Sequence, residues 1–435
     1  MRSNHLWIGG IGIFALLALP PVISSGVPPA RKANKQPSAT VKVLYSFTGG
    51  SDGGTPLSDL TLDSAGNLYG TTSAGGTGSA CQGGCGTVFE LKHSANGWKE
   101  RVRYSFKGGT DGASPQAGVI FDSAGILYGT TNFTVFKLAP NSKGGWRESV
   151  IYGFSCQSDG CLPQTDLVFD TQGNLFGTAQ RGGIQASKCD ALDEVGCGTV
   201  FELMPQSNGS WKETTIYEFA GAPDGGQPSS AVVLDSLGNV YGTTGLGGTG
   251  KCTFSSLFPG CGTVYKLTPS AGGKWTESVL YDFVRGGGFG IYPSGGLILD
   301  NASHLLGATV AGGNGLGTVF ELKQTQKGWV QTVVYRFYGN PDGAAPEGKV
   351  AMNSAGTLFG MTLGGGANHG GTVFALTPSM TNGWRESVIS AFPKGSFLEE
   401  IPSGQGVVLD SNGHLYGTTS AGGTINSGSV YEVTP

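Results

Sequence analysis

Beyond residue 40 the hydrophobic positions fall in short segments of four to nine residues, separated by clusters of Gly, Asp, Asn and Ser. In the first such unit the segments read DLTLD (Asp59 to Asp63), NLYGTT (Asn67 to Thr72), GTVFEL (Gly86 to Leu91) and WKERVRYSF (Trp98 to Phe106). Their length and alternation predict four β-strands, A, B, C and D. A–B junctions carry Asp-x-x-Gly, as in DSAGN, DTQGN and DSNGH. An Asp able to form an Asx-turn before a Gly able to take positive φ predicts a tight hairpin. The C–D junctions end on Trp98, Trp146, Trp211, Trp275, Trp329 and Trp384.

The unit recurs. A Tyr-x-Phe triplet starts at Tyr45, Tyr104, Tyr152, Tyr217, Tyr281 and Tyr335, with a degenerate copy at Ser390, at intervals between 48 and 65 residues. Unequal spacing with constant landmarks predicts one supersecondary unit with loop insertions. A strands ending at Asp63, Asp122, Asp170, Asp235, Asp300, Asn353 and Asp410 count seven units. The last C strand, GSVYEV, has no D strand after it, whereas VKVLYSF (Val41 to Phe47) is a D-type strand with nothing before it. The expected fold is therefore all-β: a seven-bladed β-propeller of four-stranded blades over 41–435, closed by the N-terminal strand completing the last blade. Closure removes the exposed sheet ends of an open array.

The 78 Gly among 435 residues serve this repeat. Recurring ones occupy the A–B hairpins and, at Gly70, Gly129, Gly177, Gly242, Gly307, Gly360 and Gly417, strand B, where close packing is expected to exclude a side chain. With 10% aromatic and 13% charged residues the composition is not that of a disordered chain. Arg2 and the apolar run Leu6 to Ile23 predict a secretory signal peptide over 1–26, followed by a mobile spacer over 27–40. Four of the 26 basic residues and none of the 30 acidic ones precede residue 40, leaving 22 against 30, a net −8, on the body. An acidic body without basic clusters excludes nucleic acid as the expected partner. No later stretch is long and apolar enough to span a membrane.

The YSF, DG…P, D-x-x-GNLYGTT, GG and GTVFEL series resembles the GloVer (Gloeo/Verruco) tandem repeat of secreted bacterial proteins, from about Val41 to Val433. The resemblance implies an extracellular or envelope-associated repeat protein, often with a C-terminal anchoring signal. This sequence shows neither a hydrophobic tail before Pro435 nor a Cys near the signal, so a freely secreted or periplasmic monomer is expected. The resemblance supplies no catalytic or binding residues.

Strand alternation puts A–B and C–D turns on one face and D–A and B–C loops on the other. The second face varies most in length and is the expected interaction face. All eight cysteines fall there as local pairs, Cys81/Cys85, Cys156/Cys161, Cys189/Cys197 and Cys252/Cys261. In a secreted chain they read as loop-pinning disulfides; zinc is the competing reading, without the usual ligand spacing. Asp52, Asp111, Asp159, Asp224 and Asp342 each precede Gly in D–A loops, with Pro four residues on. They either build the turn or form a partial ring of carboxylates able to hold Ca²⁺ or a polar ligand. Unique residues offer further binding candidates: Arg181, Lys188, Asp190, Asp193 and Glu194 in the third B–C loop, Phe254 and Phe258 in the fourth, His369 in the sixth. There is no G-x-S-x-G, H-E-x-x-H or phosphate-binding P-loop, and His93, His304 and His414 fall on the turn face. The expectation is a non-enzymatic propeller binding an extracellular polysaccharide or envelope protein. The alternative is a polysaccharide-active hydrolase or lyase using acidic residues near the channel mouth.

Overall fold

The computed structural model describes residues 39, 41–183, 196–228, 230–252, 260–286, 288–313, 315–379, 383–393 and 401–435. The expected signal peptide falls outside these residues, as does nearly all of the spacer. The described chain is all-β with no α-helix and one 3₁₀ turn, Gly109–Asp111. Among the described residues no helix is long and apolar enough to cross a membrane.

The strands pair in sequence order. In the first unit A (Thr61–Leu62), B (Leu68–Thr72), C (Thr87–Ser94) and D (Gly97–Ser105) form one antiparallel four-stranded sheet. The second, third and fourth units repeat it, and the fifth adds a short strand, Gly290–Pro293, beside B. The sixth and seventh units are linked into one sheet by a single parallel bridge, Lys349 to Gly406. The N-terminal strand Lys42–Ser46 pairs antiparallel with the final strand Ser429–Val433. Every C–D ladder bulges at the same place, Val88/Phe89 in the first unit, and the terminal pairing bulges likewise, with Tyr45 opposite Val430 and Val43 opposite Tyr431. The N-terminal strand thus takes a D strand's register.

The A strands are shorter than the apolar runs predict, two residues in each of the first five units. The residue before the entry proline has positive φ in six units (Thr55, Ser114, Leu162, Gln227, Tyr292 and Ala345), so the chain turns at the entry to each of these A strands; the sixth nevertheless ladders over nine residues, Ala344–Met352.

Seven apolar clusters fill the spaces between successive sheets. One joins Phe47, Leu60, Leu68, Phe89 and Leu91 to Tyr416 and Val430, so the first unit packs on the last. The B-strand glycines have the predicted cause: a Cβ on Gly177 would lie 2.5 Å from Phe201 Cζ, and one on Gly242 would lie 2.3 Å from the Tyr265 hydroxyl.

Candidate functional site

The two loop families expected on one face are joined there by backbone bridges: Gly54 to Ala74, Cys161 to Arg181 and Gly226 to Leu246. Arg181 is thereby held beside Cys161. Disulfides join Cys81 to Cys85 and Cys252 to Cys261, and Cys197 is disulfide-bonded. The Cys156–Cys161 pairing expected from sequence is not formed. The two thiols are free and share a hydrogen bond that lowers Cys156, while the loop between them is already closed by its own backbone, Cys156 N–H donating to Gly160 O at 3.1 Å. Cys189, Lys188, Asp190, Asp193, Glu194, Phe254 and Phe258 lie outside the described residues. His369 is exposed, in the left-handed region (φ 64).

The D–A aspartates turn inward. Asp52, Asp111, Asp159, Asp224 and Asp342 each accept the hydroxyl of the tyrosine seven residues earlier, Tyr45, Tyr104, Tyr152, Tyr217 and Tyr335, at 2.6–3.0 Å. Each also accepts a backbone N–H four residues back, as from Lys107 at 2.7 Å and Ser155 at 2.8 Å. These carboxylates close their own loops. The tyrosine of Tyr-x-Phe is therefore a loop clamp as well as a packing residue, and burial beside the carboxylate pushes its pKa up. Two residues after the C–D tryptophan stands a glutamate in five units, Glu100, Glu148, Glu213, Glu277 and Glu386, and Gln331 in the fifth. Burial first, then the neighbouring aspartate, pushes Glu100, Glu148 and Glu277 up to about 7.

The residues that do converge come from the A strands, and the repeat landmarks conceal them. At the third position after each entry proline stand Asp59, Gly118, Asp166, Ala231, Gly296 and Lys349 in the first six units. Gly118 N–H donates to Asp166 Oδ1 at 2.6 Å, and the Asp59 carboxyl lies within hydrogen-bonding reach of Asp166. Burial raises Asp166, opposed by the Gly118 N–H, the Lys349 charge and Asp59. A Cβ on Gly296 would lie 3.5 Å from Ala231 O and 3.7 Å from Lys349 Cβ, while Lys349 itself bridges to Gly406. One level of A-strand positions thus gathers around a common axis, with small residues making room for two acids and a lysine.

Two other levels frame this one. Toward the turn face the half-buried residues are mainly apolar: Thr61, Ile120, Val168, Val233, Ile298, Ala351 and Val408. Toward the loop-rich face stand Leu57, Gln116, Gln164, Ser294 and Glu347. Gln164 Nε2 donates to Asn132 Oδ1 at 2.8 Å, Ser294 Oγ is buried without a partner among the described residues, and burial alone pushes Glu347 up to about 7. Along this axis the residues are mainly polar toward the loops, charged midway and mainly apolar toward the turn face. Asp59, Asp166, Glu347 and Lys349 were not singled out from sequence. For Asp59, Asp166 and Lys349 the available signal was their departure from a repeat position otherwise held by Gly or Ala; Glu347 stands where the other units carry Leu, Gln or Ser.

An all-β, propeller-like repeat protein is the class that these sheets and this axis define. Residues 33–189 and 252–435 match the Gloeobacter/Verrucomicrobia repeat model, and the chain belongs to that family. No curated protein matches it in sequence. Among solved structures it is similar to a streptogramin B lyase (12% identity, TM-score 0.52, covering 91% of this chain and 97% of that one). It is also similar to a catalytically inactive virginiamycin B lyase from Staphylococcus aureus with quinupristin (14%, 0.53, 92% and 100%). A third match is the extracellular domain of the putative hybrid two-component system BT4673 from B. thetaiotaomicron (11%, 0.55, 90% and 39%). At these identities the likeness is one of fold.

Proposed function

We propose that the mature protein is a secreted or periplasmic, monomeric, seven-bladed propeller, released from a signal peptide over 1–26 and closed by its N-terminal strand. In this reading it binds an extracellular polysaccharide or envelope protein, without catalysis, through its loop-rich face. The shared bulge register of the terminal strand and the core cluster between first and last units support closure. Disulfides in the loops support an oxidising compartment. The observation that carries the non-catalytic reading is the fate of the five D–A aspartates: all are engaged by their own loops. A polysaccharide suits the loop-side axial group chemically, since Gln116, Ser294 and Glu347 present donors and acceptors for hydroxyl groups.

The competing hydrolase or lyase reading draws on one observation, the Asp59–Asp166 pair. Two carboxyls within hydrogen-bonding reach are closer than the roughly 5–9.5 Å separation of glycosidase acids, so the pair suits anchoring better than glycosidic cleavage. The test is retention on immobilised polysaccharides for the wild type, Gln116→Ala and Glu347→Ala, with His93→Ala on the opposite face as control. Weakened retention in the two axial variants alone supports the assignment; equal retention in all four refutes it.

A further inference from the structure

The turn face carries a second constellation, in the fifth unit. His304 Nδ1 lies 3.0 Å from Asp300 Oδ2 and 3.1 Å from Glu321 Oε1, and one ligand atom from each of the three residues lies within 4.8 Å of the other two. The other units show what normally fills this place. In the first, third and fourth an asparagine side chain donates to the turn aspartate, Asn67 to Asp63 at 2.7 Å, Asn174 to Asp170 at 2.8 Å and Asn239 to Asp235 at 2.7 Å. In the first unit a B-strand tyrosine adds a hydroxyl: Tyr69 donates to Glu90 Oε1 at 2.8 Å. The fifth unit changes both residues, with His304 at the asparagine position and Leu306 at the tyrosine position. Two carboxylate oxygens there lose a hydroxyl donor and gain an imidazole nitrogen.

The remaining oxygens are held by the protein. Asp300 Oδ1 accepts the Ala302 and His304 N–H groups, both at 2.8 Å, and Glu321 Oε2 is paired with Lys323 Nζ at 3.1 Å. Thr332 Oγ1 also approaches Glu321 Oε2, at 3.4 Å. Each carboxylate therefore has one oxygen fixed by outer partners and the other aimed at a common point, the arrangement that orients metal ligands. All three side chains remain partly open to solvent, leaving an entry path and room for water.

We propose that Asp300, His304 and Glu321 bind a divalent transition metal, zinc by preference, through one imidazole and two carboxylate oxygens with a coordination position left to water. Binding replaces the Nδ1 proton, which is released to solvent. The seventh unit supplies an internal comparison. His414 Nδ1 lies 3.3 Å from Asp410 Oδ2 and 3.7 Å from Glu432 Oε1, and Tyr416 still donates to Asp410 at 3.3 Å, so that set is looser and keeps its hydroxyl.

The experiment titrates untagged full-length protein, with Cys156 and Cys161 alkylated, against Zn²⁺ by calorimetry and Co²⁺ by visible absorption. One saturable equivalent is expected. His304→Asn restores the residue of other units, preserves the melting temperature of the metal-free protein and weakens binding at least tenfold; Leu306→Tyr also weakens it, and His414→Asn leaves it unchanged. No saturable binding up to millimolar Zn²⁺, or equal affinity in His304→Asn, overturns the proposal.

Discussion

Closure of the ring by the N-terminal strand makes a quantitative prediction about Phe47. Its ring is fully buried, edge-on to Phe89 with centroids 5.0 Å apart, and its N–H donates to Gly428 O at 3.0 Å. Phe106 is its mid-chain equivalent: fully buried, 5.0 Å from Phe136, with its N–H on Gly86 O at 3.0 Å. Removing such a ring destabilises by about 3–5 kcal/mol through lost burial and the cavity left behind. At about 2.1 cal/mol/K per residue over roughly 400 folded residues, the unfolding entropy is about 0.8 kcal/mol/K, so either substitution should lower Tm by about 4–6 °C. Calorimetry with parallel urea denaturation is the assay. If the terminal strand is a full member of its sheet, Phe47→Ala and Phe106→Ala agree to within about 1 kcal/mol. A loss below about 1 kcal/mol for Phe47→Ala, against the full loss for Phe106→Ala, would refute closure.

Two further predictions follow from the packing and the acids. Gly177→Ala places a methyl 2.5 Å from Phe201 Cζ and 3.0 Å from Leu167 Cδ2 and should destabilise by about 1–3 kcal/mol through overpacking, measured by urea midpoint. A neutral or stabilising result contradicts the steric reading of the strand-B glycines. Stability should also fall from pH 4.5 to 7.5. Glu100, Glu148 and Glu277 titrate near 7 when folded and near 4.5 when unfolded, so their contribution is complete below about 4.5 and lost as pH rises through about 7. After allowance for screening by water each of the three is worth roughly 1 kcal/mol, together a Tm decrease of about 4 °C to which Glu347 adds in the same direction, and Glu100→Gln should remove about 1 °C of it. The aspartates with lowered pKa, such as Asp159 and Asp235, act below this window. A Tm that rises with pH across it contradicts the assignment.

The architecture was legible because its determinants repeat. Asp-x-x-Gly, the strand-B glycines and the Tyr-x-Phe triplets each impose a local backbone or packing requirement, and counting them ordered the strands correctly. The short A strands were not legible, because a hydrophobic pattern marks which side chains are buried and not how far the backbone ladder beside them extends. The D–A aspartates were visible as a series, but their partner lay seven residues upstream, in a tyrosine already explained as packing. The axial group was concealed for the opposite reason. Asp59, Asp166 and Lys349 stand about 107 and 183 residues apart in sequence, and only the gathering of A strands makes them neighbours. His304 was noted only as lying on the less variable face; its meaning emerged once the asparagine and tyrosine of other units showed which hydrogen bonds it had replaced.

Binding without turnover at the loop-rich face is the central claim. Its most direct test incubates the mature protein with a panel of extracellular polysaccharides, following retention by affinity electrophoresis and, in the same samples, new reducing ends and unsaturated products. Retention of at least one polysaccharide, abolished or weakened by Glu347→Ala and unaccompanied by products, is the predicted result. Accumulation of reducing ends or unsaturated sugars that depends on Asp59 or Asp166 would contradict it.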